Sequence, residues 1–329
     1  PKIMKPNYRS LTLIQFIAVL TACAPQLVTP GPKITEPRLT EKAAIMADGA
    51  KLPLHRWRPS EKHGIKPKAI LLALHGFNDY GLFVKTGAEY FSRHGIQTYA
   101  YDQRGFGAAP HPGRWPGRRA FAVDLTTITG LLRRRHPTAP LYILGHSMGG
   151  AVVMTALTGK IPPQTDGIIL AAPAVWGRAS MHFYQRWMLA LLSHTLPWLT
   201  LTAEGLDIKP SDNIEMLRAL GGDPLFIKRS RVDTIWGLVN LMDDALAVSP
   251  KLTAKTLILY GDHDEVIKRK PTKMMLATLP GLAGTIDSGP SGQKLIRYPD
   301  GHHMLLRDLQ AENVWRDIVR WINVGIGQK

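Results

Sequence analysis

Short, largely apolar runs alternate with longer amphipathic stretches along most of this chain. The runs stand at residues 69–74, 96–101, 141–146, 167–172, 256–260 and 295–298. Runs of this length with little polar alternation are typical of strands whose two faces are both covered. Segments with helical spacing lie between or after them, at residues 83–94, 120–135 and 309–322. This alternation predicts an α/β fold, with a mostly parallel central sheet flanked by helices and joined by right-handed crossovers.

Two segments depart from this alternation, one before the run at residues 69–74 and one after the run at residues 167–172. Residues 43–57 indicate a hairpin around the Asp48-Gly49 turn, ahead of the first buried strand. After Pro173 the alternation stops, and residues 175–246 carry apolar and aromatic positions at helical spacing, interrupted by Pro197. We therefore expect a helical insertion there. Its aromatic side chains either pack onto the body or line an apolar pocket.

The N-terminal residues have the pattern of a targeting segment. Lys2, Lys5 and Arg9 precede an apolar run at residues 11–20, which is too short to span a bilayer. The run ends in Leu20-Thr21-Ala22-Cys23, which resembles the bacterial lipobox. We therefore expect residues 1–22 to be a lipoprotein signal peptide and Cys23 to be lipidated. An ordinary secretory signal or an uncleaved anchor, with an incidental cysteine, is the alternative.

The residues after Cys23 predict a connection between a membrane and a folded domain. Prolines recur through residues 24–40 with little apolar content, which favours an extended, stiff tether. The expected organisation is therefore a lipid anchor and tether at 23–40, followed by one domain at 41–329. Ala24 after the cysteine resembles outer-membrane sorting, so the expected location is the periplasmic side of a membrane, or the cell surface. Since the chain begins with Pro1, Met4 is a candidate start of the reading frame.

The charge balance points to an anionic surface. Lys and Arg outnumber Asp and Glu by 41 to 25, and the formal net charge is +16 at pH 7. Such a charge favours phospholipid headgroups or nucleic acid. The chain has no ladder of basic residues interleaved with aromatics and no nucleic-acid motif. A membrane surface is therefore the expected partner, and nucleic acid is not.

A candidate nucleophile follows one of the buried runs. Gly145-His146-Ser147-Met148-Gly149-Gly150 stands directly after residues 141–144, and a helix is expected to begin close to Ala151. This strand–turn–helix context is that of a nucleophile elbow, in which a tight turn lifts the serine hydroxyl above the sheet edge. The alternative is a glycine-rich turn with an incidental serine.

Three motifs together carry a family resemblance. They are His75-Gly76, Asp102-x-Arg104-Gly105-x-Gly107 and Gly145-His146-Ser147-Met148-Gly149-Gly150. In this order and spacing they resemble the monoacylglycerol lipase and lysophospholipase branch of the α/β-hydrolases, the serine aminopeptidase S33 type. The resemblance covers about residues 43–324 and implies the α/β-hydrolase fold, with the insertion at about 175–246 forming a cap over the active site.

A serine needs a base and an acid, and in this fold they follow it in the order acid, then histidine. The acid is Asp262 or Asp264, after the next-to-last strand, and the base is His302 or His303, after the last. The family pattern strand-Gly-x-x-Asp favours Asp264. The family pattern Gly-x-His before an apolar pair and an acid favours His303.

The remaining polar residues near these motifs receive supporting roles. A tetrahedral oxyanion needs N–H donors, and the first is expected from the backbone of Met148, directly after the nucleophile. Family analogy places the second at the backbone N–H of Phe77. His146 is expected to pack beside the elbow, whereas Asp102 and Arg104 are expected to anchor loops.

These residues predict a serine ester hydrolase that uses Ser147, His303 and Asp264. The histidines are scattered without metal-ligand spacing, and no phosphate-binding loop occurs, so neither a metal nor a cofactor is expected. The resemblance, the apolar cap and the basic charge favour an acyl-ester lipid as substrate, either a lysophospholipid or a monoacylglycerol. A small-ester carboxylesterase, a thioesterase, a peptidase or an acyltransferase on the same triad is the alternative, as is a non-catalytic lipid-binding lipoprotein. The oligomeric state is left open.

Overall fold

The structure, a computed structural model, describes residues 24–59, 66–202, 205, 207–282 and 292–327. The expected signal peptide and Cys23 lie outside the described residues. Within the described part, no helix has both the length and the apolar character that a membrane span requires.

One large sheet organises the fold. In chain order the strands are β1 (Arg38–Leu39), β2 (Ala43–Ile45), β3 (Lys51–Trp57), β4 (Ala69–Leu74), β5 (Ile96–Tyr101), β6 (Leu141–His146), β7 (Gly167–Ala171), β8 (Thr200–Thr202), β9 (Arg229–Arg231), β10 (Thr256–Gly261) and β11 (Gln293–Tyr298). Among the described residues, nine of them form the sheet in the order β1-β2-β3-β5-β4-β6-β7-β10-β11. From β5 to β11 every neighbouring pair is parallel, whereas β1, β2 and β3 are antiparallel to their neighbours. The predicted α/β class and mostly parallel sheet are confirmed.

Helices cover both faces of this sheet. They are α1 (Lys85–Arg93), α2 (Arg118–Arg135), α3 (Met148–Leu157), α4 (Phe183–Thr195), α5 (Ile214–Gly222), α6 (Val232–Val248), α7 (Arg269–Thr278) and α8 (Ala311–Gly327), with short 3-10 helices at Gly81–Val84, Arg178–Ser180 and Ser249–Lys251. On one face, Phe121 of α2 and Met275 of α7 share a buried core with Leu72 of β4. On the other face, Phe91 of α1 and Ile318 of α8 belong to a second core. The central strands read as continuous apolar runs because both of their faces are buried in this way.

The N-terminal segment lies along the body of the domain. The backbone N–H of Val28 donates to the carbonyl of Trp115 at 2.9 Å, and that of Ile34 donates to Ala47 at 2.8 Å. The segment ends in β1, which adds an edge strand to the sheet through pairing with β2. Its proline content predicted an extended conformation, but composition alone does not reveal these contacts with distant residues.

The insertion between β7 and β10 contains α4, α5 and α6, and we refer to residues 175–246 as the cap. It also contains β8 and β9, which pair antiparallel as a separate sheet, so the insertion is not purely helical. Each of these strands has only three residues and lies near the surface, with one buried residue between them, Ser230. So short a strand leaves no period-two apolar pattern, and the sequence therefore did not predict this pair.

Candidate active site

The elbow at Ser147 joins β6 to α3 with a strained backbone. Ser147 has φ 51° and ψ −116°, in a region that non-glycine residues rarely occupy. The flanking glycines allow the close approach that this turn needs. A Cβ at Gly145 would lie 2.6 Å from the carbonyl oxygen of Gly149, and one at Gly149 would lie 2.4 Å from that of Leu74. Larger residues at either position would push α3 away from the sheet, so the motif is required by packing as well as by chemistry.

His303 stands between Ser147 and Asp264. Its Nε2 lies 2.9 Å from Ser147 Oγ, and its Nδ1 lies 2.9 Å from Asp264 Oδ2. Relative exposures of 8% for Ser147, 5% for His303 and 6% for Asp264 keep the chain of hydrogen bonds away from bulk water. When Nδ1 donates to the carboxylate, Nε2 is left as an acceptor for the serine O–H. The three side chains can therefore remove a proton from the Ser147 hydroxyl.

Backbone amides fix the carboxylate of Asp264. The N–H groups of Val266 and Ile267 donate to its Oδ1 at 2.9 and 2.8 Å, which leaves Oδ2 for His303. These bonds form because the chain turns sharply just after β10. They orient the carboxylate before any substrate arrives.

The two alternative residues point to other partners. Asp262 accepts two hydrogen bonds from the guanidinium of Arg297, at 3.0 and 2.7 Å. The His302 ring stacks on that of His263 with centroids 5.6 Å apart, and the His302 backbone N–H donates to Asp308 Oδ2 at 2.8 Å. Of the two neighbouring pairs, only Asp264 and His303 are hydrogen-bonded with Ser147 in one chain.

The loop after β4 passes directly beside the nucleophile. A Cβ on Gly76 would lie 3.3 Å from Ser147 Cβ, so this position favours glycine, and Phe77 follows at once. The Phe77 ring packs edge-on against Phe106 at 5.6 Å, which holds the loop against the body. Met148, the other expected donor, is the first residue of α3, and a helix N-terminus favours negative charge. Both backbone positions thus lie next to Ser147 in the chain or in space.

The chain resembles known proteins over most of its length. Residues 65–310 match the family described as serine aminopeptidase, S33. The chain belongs to this family. The family and the fold make it an enzyme of the serine hydrolase type, as the sequence motifs predicted.

Individual relatives cover nearly the same span. The hydrolase is 25% identical over 289 residues to a monoacylglycerol lipase of Mycolicibacterium smegmatis. This alignment covers 83% of this chain and 93% of the relative. It is also 25% identical over 313 residues to the monoglyceride lipase of Rattus norvegicus, and that alignment covers 89% of this chain and 96% of the relative. Among solved structures, a soluble variant of monoglyceride lipase from Saccharomyces cerevisiae, in complex with a substrate analog, superposes with a TM-score of 0.66 at 19% identity. That superposition covers 92% of this chain and 98% of the other, and it shows a shared α/β-hydrolase fold.

Two further histidines of the hydrolase are buried beside the triad. His75 donates from Nδ1 to the carbonyl of Gly76 at 2.7 Å and accepts at Nε2 from the N–H of Gln103 at 2.9 Å, a pattern that needs the neutral ring. His146 contacts the carbonyl of His303 through Nε2 at 3.1 Å and stacks on Phe83. Burial lowers the pKa of His75 and lowers that of His146 well below its usual value. Both rings are therefore neutral, polar packing elements that support the loops of the site.

The Asp102 motif anchors loops, as the sequence predicted. Asp102 accepts from the backbone N–H groups of Gly81 and Ala108 at 2.8 and 2.9 Å. Arg104 pairs with Asp48 of the β2–β3 turn at 2.7 Å and with Asp124 of α2 at 2.6 Å. Burial raises the pKa of Asp124 to about 6, against the opposing effect of the arginine. These groups stabilise the turns on which the site loops stand.

The cap is joined to both loops that carry the site. The N–H of Ile227 donates to the carbonyl of Asn78 at 3.0 Å, next to the expected oxyanion loop. The N–H of Met304 donates to the carbonyl of Pro210 at 2.9 Å, next to His303. A displacement of the cap would therefore break these hydrogen bonds or displace both loops.

One group near the site was not predicted from the sequence. Asp212 of the cap, His302 and Asp308 each offer a ligand atom, and these atoms lie within 4.8 Å of one another. Burial raises the pKa of Asp308. Asp212 is far from the other two in the chain, and no spacing rule connects it to them. Only the packing of the cap loop against the His303 loop brings the group together.

The cap also presents large apolar side chains to solvent, and we call them the cap apolar face. Its members on α4 are Phe183, Tyr184, Trp187, Met188 and Leu191, and those after α4 are Leu196, Trp198, Leu199 and Leu201. On α4 they recur at helical spacing, so they share one side of that helix. Of the two uses expected for the aromatic side chains of the insertion, packing onto the body does not apply to the aromatic members of this set, which are exposed.

Proposed function

We propose that this hydrolase releases a fatty acid from lipids with a single acyl ester, a monoacylglycerol or a lysophospholipid. The observation that carries the catalytic part is the hydrogen-bonded chain from Ser147 Oγ through His303 to Asp264, with both distances at 2.9 Å. In this proposal Ser147 is the nucleophile, His303 the general base and acid, and Asp264 the group that orients the imidazole and stabilises its cation.

The proposed reaction proceeds through an acyl-enzyme. His303 Nε2 takes the proton of Ser147 as Oγ attacks the acyl carbonyl, and the tetrahedral intermediate then collapses when His303 returns the proton to the leaving alcohol. In the second half His303 takes a proton from water as the water oxygen attacks the acyl carbonyl, and it then gives that proton to Ser147 Oγ as the bond to the acyl group breaks and the fatty acid is released. Each half thus begins and ends with a neutral imidazole, and Asp264 stays ionised throughout.

Backbone amides stabilise the oxyanion in this scheme. The N–H of Met148 is the first donor and that of Phe77 the second, on the loop held beside Ser147 by the close approach of Gly76. Amides fixed in advance need no reorganisation as the charge develops, and removal of one such donor costs about 10²–10³ in rate in other hydrolases.

The relatives and the cap support the lipid substrate. Relatives across bacteria and mammals are named monoacylglycerol or monoglyceride lipases, and they match this chain over more than nine tenths of their own length. The cap carries exposed aromatic and aliphatic residues, including Trp187 at 73% exposure. Side chains of this kind favour the boundary between headgroups and acyl chains.

We also propose that the enzyme works at a membrane surface. Lipidation of Cys23 would tether the domain on the periplasmic side of a bacterial membrane or at the cell surface. The formal charge, which stays strongly positive after Lys2, Lys5 and Arg9 leave with the signal peptide, would attract anionic headgroups. The cap apolar face would then enter the interface and deliver single-chain lipids to Ser147.

A panel of lipids tests the substrate. Purified enzyme and its Ser147→Ala variant would be incubated with monoacylglycerol, lysophospholipid, diacylglycerol and short soluble esters, with released acid measured by mass spectrometry. We expect the long-chain single-acyl lipids to be cleaved fastest by the native enzyme and not measurably by the variant. Fastest turnover of the short soluble esters would favour a carboxylesterase instead, and equal release by both proteins would contradict the role of Ser147.

A further inference from the structure

The junction between the cap and the loop after β11 holds three potential metal ligands. Asp212 lies in the cap loop before α5, whereas His302 and Asp308 flank His303 and the turn that follows it. Each of the three offers a ligand atom within 4.8 Å of the other two. A single ion of ordinary coordination radius can reach side-chain atoms at such separations after small side-chain rotations.

Hydrogen bonds hold both carboxylates in place from behind. Asp308 accepts from Ser211 Oγ at 2.6 Å and from the N–H of His302 at 2.8 Å, and Asp212 accepts from the N–H of Leu309 at 2.9 Å. Every carboxylate oxygen can accept more than one hydrogen bond, so each retains a lone pair. Support of this kind is what orients metal ligands in known sites.

The imidazole of His302 is the independent observation that points to a ligand. The residue is 9% exposed, and within the described part of the chain its buried Nδ1 has no hydrogen-bond partner. A buried polar atom without a partner is unusual in native proteins. The ring stacks on His263, with centroids 5.6 Å apart, which limits its rotation.

The charge of the cluster also favours a cation. Among the described residues, neither Asp212 nor Asp308 forms an ion pair with a lysine or arginine. The nearby guanidinium of Arg307 is bound to Asp79 instead. Two carboxylates side by side, one of them buried, repel each other unless a positive charge lies between them.

We propose that Asp212, His302 and Asp308 form a binding site for a divalent transition-metal ion, with Zn²⁺ as the best match. One imidazole nitrogen and two carboxylate oxygens suit zinc better than the all-oxygen shells of Ca²⁺ and Mg²⁺. Water completes the coordination. The ion does not touch Ser147, and its place is beside His303 and not within the triad.

Such an ion would fasten the cap to the His303 loop. The two segments already share the bond from Met304 N–H to the Pro210 carbonyl, and Asn213 Nδ2 donates to the Arg307 carbonyl at 3.0 Å. A metal bridge from Asp212 to His302 adds a stronger link at the same junction. Because the ion binds only the folded chain, it raises the melting temperature.

Zinc binding to the full chain tests this site without reference to catalysis. The protein would be stripped with EDTA, dialysed, and titrated with Zn²⁺ in a calorimeter at pH 7.5. We expect the native protein to bind one Zn²⁺ per chain. In each of Asp212→Asn and His302→Gln, we expect the affinity for Zn²⁺ to be at least about tenfold lower than in the native protein. Asp300→Asn, which removes an exposed acid from the same loop, is expected to bind as the native protein does.

Thermal melts distinguish a lost ligand from a damaged fold. Asp212 is only partly buried, so Asp212→Asn is expected to melt cooperatively without zinc, close to the metal-free native protein. Zinc should raise the melting temperature of the native protein and of Asp300→Asn, but not that of the two ligand variants. Absence of zinc binding to the native protein, or unchanged binding in both ligand variants, would overturn the proposal.

Discussion

At the scale of single residues, strain and burial set the chemistry that this hydrolase can perform. Ser147 adopts a positive φ of 51°, at a cost of the order of 1–3 kcal/mol, and that conformation turns its hydroxyl toward His303. His303 is held by Asp264 on one side and by the contact of its carbonyl with His146 on the other. The site therefore depends on neutral, buried neighbours as much as on the triad itself.

The buried neutral histidines predict how stability depends on pH. His75 can bind a proton below about pH 6.5 when the chain is unfolded, whereas burial lowers its pKa in the folded state. The unfolded state therefore gains protons first as the pH falls. The stability that the neutral His75 ring contributes is fully present above about pH 6.5. It is lost, by up to about 1.4 kcal/mol per pH unit, as the pH drops toward the pKa of His75 in the folded state.

Urea unfolding between pH 7.5 and pH 5 measures this effect. We expect His75→Gln, which keeps a donor and an acceptor but does not titrate, to show a shallower fall in the free energy of unfolding than the native protein. Only the slope is diagnostic, because glutamine in this core site lowers stability at every pH. Identical slopes for the two proteins would contradict the neutral assignment of His75.

Sequence reasoning chose three residues that lie in one hydrogen-bonded chain, but it did not identify all of their neighbours. Asp264 and His303 could be chosen over Asp262 and His302 because family spacing places each at a fixed offset from its strand, and these two lie with Ser147 in one hydrogen-bonded chain. Asp212 could not be placed near His302, since that proximity depends on how the cap folds back onto the body.

At the scale of elements, the cap helix α4 is unusual because its large apolar side chains are exposed to solvent. A helix on the surface of a soluble domain usually turns its apolar side inward, yet five large apolar residues of α4 are exposed. Other segments of the cap contact the loops of the site: Ile227 N–H donates to the carbonyl of Asn78, and the carbonyl of Pro210 accepts from Met304 N–H. The helix that we propose to contact lipid therefore belongs to the same insertion as the residues that contact the site loops.

The exposed indole of Trp187 gives a prediction at this scale. We expect Trp187→Ser to weaken binding to phospholipid vesicles by at least about tenfold, and to slow hydrolysis of vesicle-bound monoacylglycerol, because roughly 1.5–3 kcal/mol of apolar burial is lost. Hydrolysis of a short soluble ester should be unchanged. Vesicle co-sedimentation and fatty-acid release provide the two measurements.

Ile161→Ser is the matched control for this variant. Ile161 is 77% exposed, similar to Trp187 at 73%, but it precedes β7 and so lies at the edge of the sheet opposite the site. It should bind vesicles as the native protein does. Equal loss in both variants, or loss in neither, would show that the cap apolar face does not direct lipid binding.

Elements with a strong local pattern were predictable and those defined by distant contacts were not. The bounds of β5 matched the apolar run at residues 96–101, since a strand buried on both faces carries its own signature. β1, with two residues, and the β8–β9 pair have no such signature, and they form only because partner strands lie nearby.

At the scale of the whole molecule, the topology of the sheet brings the loops of the candidate site together. Parallel strands gather the loops that carry Ser147, Asp264 and His303 at one edge of the sheet, and the cap is hydrogen-bonded to the His303 loop through Pro210 and Met304. The net charge of +16 for the whole sequence supports the proposed attraction to anionic headgroups. The fold class of the protein was predictable because the strand–helix alternation runs through most of the chain. The exposure of the cap apolar face could be seen only in the structure.

Covalent labelling tests the central claim, that Ser147 is a nucleophile activated by His303 and Asp264. A long-chain alkyl p-nitrophenyl phosphonate would be added to the native enzyme and to Ser147→Ala, His303→Ala, Asp264→Asn and the matched control Asp262→Asn, with adducts located by peptide mass spectrometry. We predict one phosphonyl group per chain on Ser147, no adduct in Ser147→Ala, and labelling slowed at least about 100-fold in His303→Ala and Asp264→Asn but not in Asp262→Asn. An adduct on another residue, or undiminished labelling of Ser147→Ala, would contradict the account.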